Sequence, residues 1–143
     1  MKGIVILALL VSLGAAFAPA QTRTNDKDIL AMMNNLKSDA KKFQSAFNSS
    51  VGKSQIRKTS REKDSKTLVK NFQNQIQAMT SNFKTHRKAD VELPIVVSSS
   101  NQIDQLMRDV AFDDRTNTAW TRVKSEVTQL SDAYGLPAST QPQ

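Results

Sequence analysis

Few residues in this chain are equipped for chemistry. His86 is the single histidine, and two kinds of site could be built on it. A hydrolytic triad would join it to one of Ser98, Ser99 or Ser100 and to an acid such as Asp90. A serine attacks only when an imidazole takes its proton and a carboxylate orients that imidazole. A b-type haem would instead use His86 with Met32 or Met33 as axial ligands. Each reading has a plainer competitor. His86 follows Phe83 by three residues, near the end of an apolar helix face, and methionines beside Leu36 are ordinary core filler.

The acids fall in pairs at Asp26/Asp28, Glu62/Asp64, Asp90/Glu92 and Asp113/Asp114. A glycosidase pair must face itself across a cleft. All four pairs lie instead at expected helix starts or turns, where capping and the helix dipole account for them. The absence of cysteine excludes thiol chemistry, zinc-thiolate sites and covalent c-type haem. One histidine cannot supply the two Glu-x-x-His motifs of a di-iron bundle. Beyond residue 20 the glycines are Gly52 and Gly135, too few and too scattered for a phosphate loop or a dinucleotide fingerprint. The sequence therefore predicts no enzyme, no cofactor and no metal site.

Lysines offer more. Lys63, Lys66, Lys70, Lys84 and Lys88 project about 120–180° away from Phe72 on a helix of 100° per residue, forming a ridge roughly 35 Å long. Ten Lys or Arg lie between Lys53 and Lys88 against Glu62 and Asp64, within a chain of net charge +7. Such an excess attracts polyanions: nucleic acid, acidic lipid head groups or acidic polysaccharide. The competing reading is a solvated outer face, which any bundle helix needs. No aromatics interleave with the lysines, which argues against sequence-specific nucleic-acid recognition.

Four amphipathic helices must carry these residues. Helix one spans about 26–48, with Asn25 as N-cap and Asp26 and Asp28 at its positive end. Its stripe is Ile29, Met33, Leu36, Ala40, Phe43 and Phe47, with Lys37, Lys41 and Lys42 off it. A connection follows in which Ile56 is expected to tuck under the bundle edge. Helix two opens on the capping box Thr59-x-x-Glu62 and runs to about Arg87. Its core is Leu68, Phe72, Ile76, Met79 and Phe83, with Val69 on the shoulder.

Helix three starts within 90–95, since Pro94 fits only a first turn. It faces inward through Val96, Ser99, Ile103, Leu106, Met107 and Val110. Ser98 to Ser100 and the β-branched run Ile95 to Val97 make its first half the weakest helical stretch. Helix four spans 115–134, capped by Asp114, with Trp120, Val123, Val127, Leu130 and Tyr134 on one narrow face. Gly135-Leu136-Pro137 ends it in the manner of a Schellman motif. Helices of about 20 residues on short links predict an all-α, up-down-up-down antiparallel four-helix bundle.

The first twenty residues read as a signal peptide. Lys2 precedes a short apolar core, Ile4 to Leu13, and Ala18-Pro19-Ala20 places cleavage before Gln21. The run is too short to cross a bilayer comfortably, so the mature chain is expected to have no transmembrane segment and to be periplasmic or secreted. The bundle domain then covers 21–137, and 138–143 is a loose tail.

The pattern Trp120-x-x-Val123-x-x-x-Val127-x-x-Leu130-x-x-x-Tyr134-Gly135, with Ile103-Asp104-x-x-Met107 upstream, resembles exported bacterial helical-bundle proteins of no known activity. Those proteins share a short leader, a Phe-containing first helix and a Trp-to-Tyr last helix. The resemblance implies a helical fold and export, and no functional residue. The functional expectation is a non-catalytic envelope or interaction protein with an unknown protein partner or a polyanion. The alternatives are a module binding polyanions or anionic head groups through the lysine ridge, and a periplasmic chaperone-like bundle.

Overall fold

A computed structural model describes residues 24–136. The expected signal peptide at 1–20 and the tail at 138–143 lie outside them. Four helices make up the described chain: α1 (Asp26–Val51), α2 (Ser60–His86), α3 (Glu92–Asp109) and α4 (Asp114–Tyr134). They pack as a closed ring, α1 on α2, α2 on α3, α3 on α4 and α4 back on α1. The α1–α4 face is the most extensive and the α3–α4 face the least. No helix among the described residues is long and apolar enough to cross a membrane.

The helix ends follow from local side chains, with three departures from expectation. Asn25 accepts the Lys27 N–H at 3.1 Å, as an N-cap should. α1, however, continues three residues past Asn48. Val51 sits one turn beyond Phe47 and is fully buried with it, so packing outweighs the weak propensity of the Ser/Asn run.

Thr59 caps α2 through the Glu62 N–H. The reciprocal arm of the box is displaced: Glu62 Oε2 accepts from Lys58 N–H at 2.6 Å. The Thr59 N–H is already engaged by the Ile56 carbonyl, which leaves the neighbouring donor for the carboxylate. α4 is capped by Asp113 and not by Asp114. Asp113 has extended backbone angles and its Oδ1 accepts the Thr116 N–H at 2.8 Å, whereas Asp114 is already helical.

At the far end Gly135 adopts φ 77°, and the Leu136 N–H reaches the Ser131 carbonyl at 3.0 Å. This is the six-to-one bond of the Schellman motif, and Leu136 packs on the core. A β-carbon at Gly135 would meet the steric cost of left-handed backbone.

The core is centred on aromatic rings. Phe43 of α1 lies 5.0 Å from the Trp120 ring and Phe72 of α2 lies 6.0 Å from it. Phe47 joins Phe43 at 5.8 Å and Phe112 at 5.2 Å. Centroid separations of about 4.5–7 Å with tilted planes are the favourable range for such pairs. Trp120 also donates its indole N–H to Asp104 of α3 at 3.1 Å. One side chain of α4 thus touches all three other helices.

Ile56 is buried, as expected of the connection. Leu68 and Val69 exchange the roles assigned to them: Val69 is buried and Leu68 only half so. The α2 stripe runs Ser65, Val69, Phe72, Ile76, Met79, Phe83, at spacings of 4, 3, 4, 3 and 4. That rotation favours position 69 over 68. The triple serine of α3 stays helical, with Ser99 and Ser100 buried. Met107 and Tyr134 are half-buried at the core margin, while Val91 and Ile95 remain exposed at the start of α3.

Candidate functional site

The outer face of α2 is built by its amphipathic repeat. With Phe72, Ile76, Met79 and Phe83 fully inside, the positions on the opposite side have nowhere to go but solvent. Lys63, Lys66, Lys70, Lys84 and Lys88 are all exposed. Lys66 is paired with Glu62 one turn back, at 2.6 Å. That contact and the Lys58 N–H hold the Glu62 carboxyl below its ordinary pKa.

Lys63, Lys66 and Lys70 border a shallow depression of about 330 Å³ with Thr59, Glu62 and Thr67. Lys84 lies on the last turn, and α2 stops at His86, where Arg87 takes a left-handed conformation. Lys88 therefore follows the ridge from the connection and not from the helix. The ridge is two clusters, separated by the exposed and uncharged Asn74, Gln77 and Ser81.

The other residues singled out for chemistry are held in local contacts. His86 is exposed, with Nδ1 2.6 Å from Asn82 Oδ1. Asn82 in turn donates to Glu92. Asp90 accepts the Tyr134 hydroxyl at 3.0 Å, and that hydroxyl also accepts the Ala89 N–H at 2.8 Å. Met33 is fully buried in α1, and Met32 packs half-buried against the same core. Of the serines, Ser98 is exposed while Ser99 and Ser100 are buried. No group of three or more acids, histidines or cysteines able to hold a metal exists among the described residues.

No family model, curated protein or solved structure matches the chain.

Two polar clusters escaped the sequence reading. Asp104 is buried on α3, where it accepts from Trp120 Nε1, from Lys124 Nζ at 2.9 Å and from Arg108. Burial pushes its carboxyl up, but the Lys124 and Trp120 hydrogen bonds and the Arg108 charge outweigh it and leave the pKa lowered. This cluster stands on the α3–α4 face, where helix contact is thinnest.

The second cluster joins α1 to α4. Asp39 pairs with Lys42 at 2.7 Å, lies 3.9 Å from Arg122, and meets Glu126. Lys42 holds Asp39 ionised and lowers its pKa. Burial first, and then the Asp39 charge, push Glu126 up to about 7. A proton on Glu126 turns a like-charge clash into an O–H donor for Asp39.

The sign for stability follows from the raised value. An unfolded Glu126 loses its proton near 4.5, while the folded one keeps it to about 7. Stability contributed at low pH is therefore lost as pH rises across that window. Glu126→Gln keeps a donor for Asp39 at every pH. It is expected to leave urea stability unchanged at pH 4.5 and to raise it at pH 8 by about 1 kcal/mol, after allowance for solvent screening of a half-exposed group. An equal effect at both pH values would refute the shared-proton arrangement.

Proposed function

We propose that the protein is an exported, non-catalytic bundle of up-down-up-down connectivity that acts by contact, binding a polyanion through the outer face of α2. The observation that carries this reading is the exposure of all five ridge lysines, four of them on one face of α2 and Lys88 just beyond its end. Only Lys66 among them has an acidic partner within the described residues. Concentrated positive charge that is only partly neutralised locally lowers the free energy of an approaching polyanion, most strongly at low salt. Contacts between helix ends support the connectivity: Arg61 pairs with Asp109 at 2.9 Å, the Asp113 N–H meets Ser50 Oγ, and Tyr134 meets Asp90.

Retention on a heparin column tests the reading. The wild-type protein is expected to bind at low salt and to elute as ionic strength rises. The variant with Lys63, Lys66, Lys70, Lys84 and Lys88 all changed to Gln should pass through near the void at the same salt. These positions are exposed, so the variant keeps the fold and its helical circular dichroism. Equal retention of the two proteins would show that the α2 face is only a solvated surface.

A further inference from the structure

The α2–α3 corner breaks two local rules at once. Arg87 takes the left-handed C-cap of α2, at φ 56°, a conformation that glycine adopts at least cost. Val91 holds the N-cap of α3 and makes no side-chain bond there, where Ser, Thr, Asp or Asn are preferred. The other three helices open on Asn25, Thr59 and Asp113, each with a side-chain cap. Residues that break local rules without a gain to the fold point to function.

What the corner gains is a particular surface. Among the described residues, the large hydrophobics left in water are Val91 and Ile95, at 70% and 46% exposure. Four residues apart at the start of a helix, they share one face. Lys84, Arg87 and Lys88 are exposed just before them in the chain. Asn82 donates to Glu92 at 2.5 Å, which sets the last turn of α2 beside the first turn of α3. The acids of this corner are engaged, Glu92 by Asn82 and Asp90 by the Tyr134 hydroxyl. Three cations and an aliphatic pair thus share the tip where the two helices meet.

We propose that this corner docks on an anionic lipid bilayer, with Val91 and Ile95 entering the acyl boundary and Lys84, Arg87 and Lys88 meeting head-group phosphates. The inference rests on the polyanion reading of α2 and names the partner of its Lys84 and Lys88 cluster. A soluble polyanion would use the lysines and gain nothing from the aliphatic pair. A stable protein interface covers about 800 Å² per partner, far more than two side chains provide. A bilayer rewards both features, because apolar burial at the acyl boundary adds to attraction by acidic head groups. The lysine stems lie along the apolar layer while their ammonium groups stay at phosphate level.

Co-sedimentation of the protein with lipid vesicles tests the assignment. Binding is expected to vesicles of phosphatidylglycerol mixed with phosphatidylcholine, and little to phosphatidylcholine alone. Val91→Ser with Ile95→Ser should weaken it about tenfold and leave heparin retention unchanged. Lys84→Gln with Lys88→Gln should weaken it about thirtyfold at low salt and reduce heparin retention as well. Ile95→Trp places an indole in the contact, and lipid brominated in its acyl chains should quench the added emission. All of these positions are exposed, so helical circular dichroism stays as in the wild type. Equal binding to both lipids, a serine pair that binds like the wild type, or an added indole untouched by brominated lipid would overturn the proposal. So would a fall from dimer to monomer caused by the serine pair, which would assign Val91 and Ile95 to contact between copies of the chain. Heparin retention that depends on the ridge, with vesicle binding indifferent to Val91 and Ile95, would sink this inference alone. Absence of both heparin retention and vesicle binding would sink the reading beneath it as well.

Discussion

Trp120→Ala is expected to lower the unfolding free energy by about 3–5 kcal/mol, the range for emptying a large aromatic site in a packed core. The indole packs at a tilt against Phe43 and edge-on against Phe72 and is bonded to Asp104, so its removal withdraws packing from α1, α2 and α3 together. Collapse of the neighbours into the space is hindered because each is anchored on a different helix. Trp120→Phe keeps a ring in place and loses the N–H donor, with an expected cost of about 1–2 kcal/mol. Urea unfolding followed by circular dichroism measures both. A loss below about 1 kcal/mol for the alanine variant would mean that the four helices do not meet at this residue.

Asp104→Ala is the second large effect, at about 2–3 kcal/mol. The substitution strands a buried indole N–H and removes the shared partner of Lys124 and Arg108. Those two cations stand half in solvent, which keeps the loss below that of a fully buried ion pair. The pH dependence has a defined sign. The folded pKa of Asp104 lies below its ordinary 3.8, so its stabilisation is complete above that value and is lost as pH falls through the lower one. The gap between wild type and Asp104→Ala should therefore be full at pH 7 and shrink in strong acid. A gap independent of pH would assign the effect to packing and not to charge.

Much of this fold is legible in the chain because its signals are local. The stripes of α1 and α4, the Asn25 cap, Pro94 in a first turn and the Gly135-Leu136 stop are each set by residues within a turn or two of one another. Where neighbours compete, local signals mislead. Leu68 and Val69 both suit an apolar stripe, and only the rotation of α2 against its partners chooses between them. Asp113 and Asp114 are both competent caps, and the extended backbone at Asp113 decides. α1 outlasts its expected end because Val51 finds the core, a tertiary gain that propensity does not report.

The site divides along the same line. Exposure of Lys63, Lys66, Lys70 and Lys84 follows from periodicity within a single helix, whereas Lys88 lies beyond the end of that helix. Asp104 with Lys124 and Asp39 with Glu126 each join different helices. Their meeting depends on how two helices are turned about their axes, and no spacing within one helix encodes that. These carboxylates also look unremarkable in the sequence, because what distinguishes them is the company they keep.

The most direct measurement is a titration of the ¹⁵N-labelled protein with a heparin-derived oligosaccharide, read as amide shift changes at low salt. The account predicts changes concentrated at residues 63–70 and 84–88 of the α2 side, fading as salt is added. Shift changes centred on the outer face of α4, or none at any ratio of ligand to protein, would contradict it.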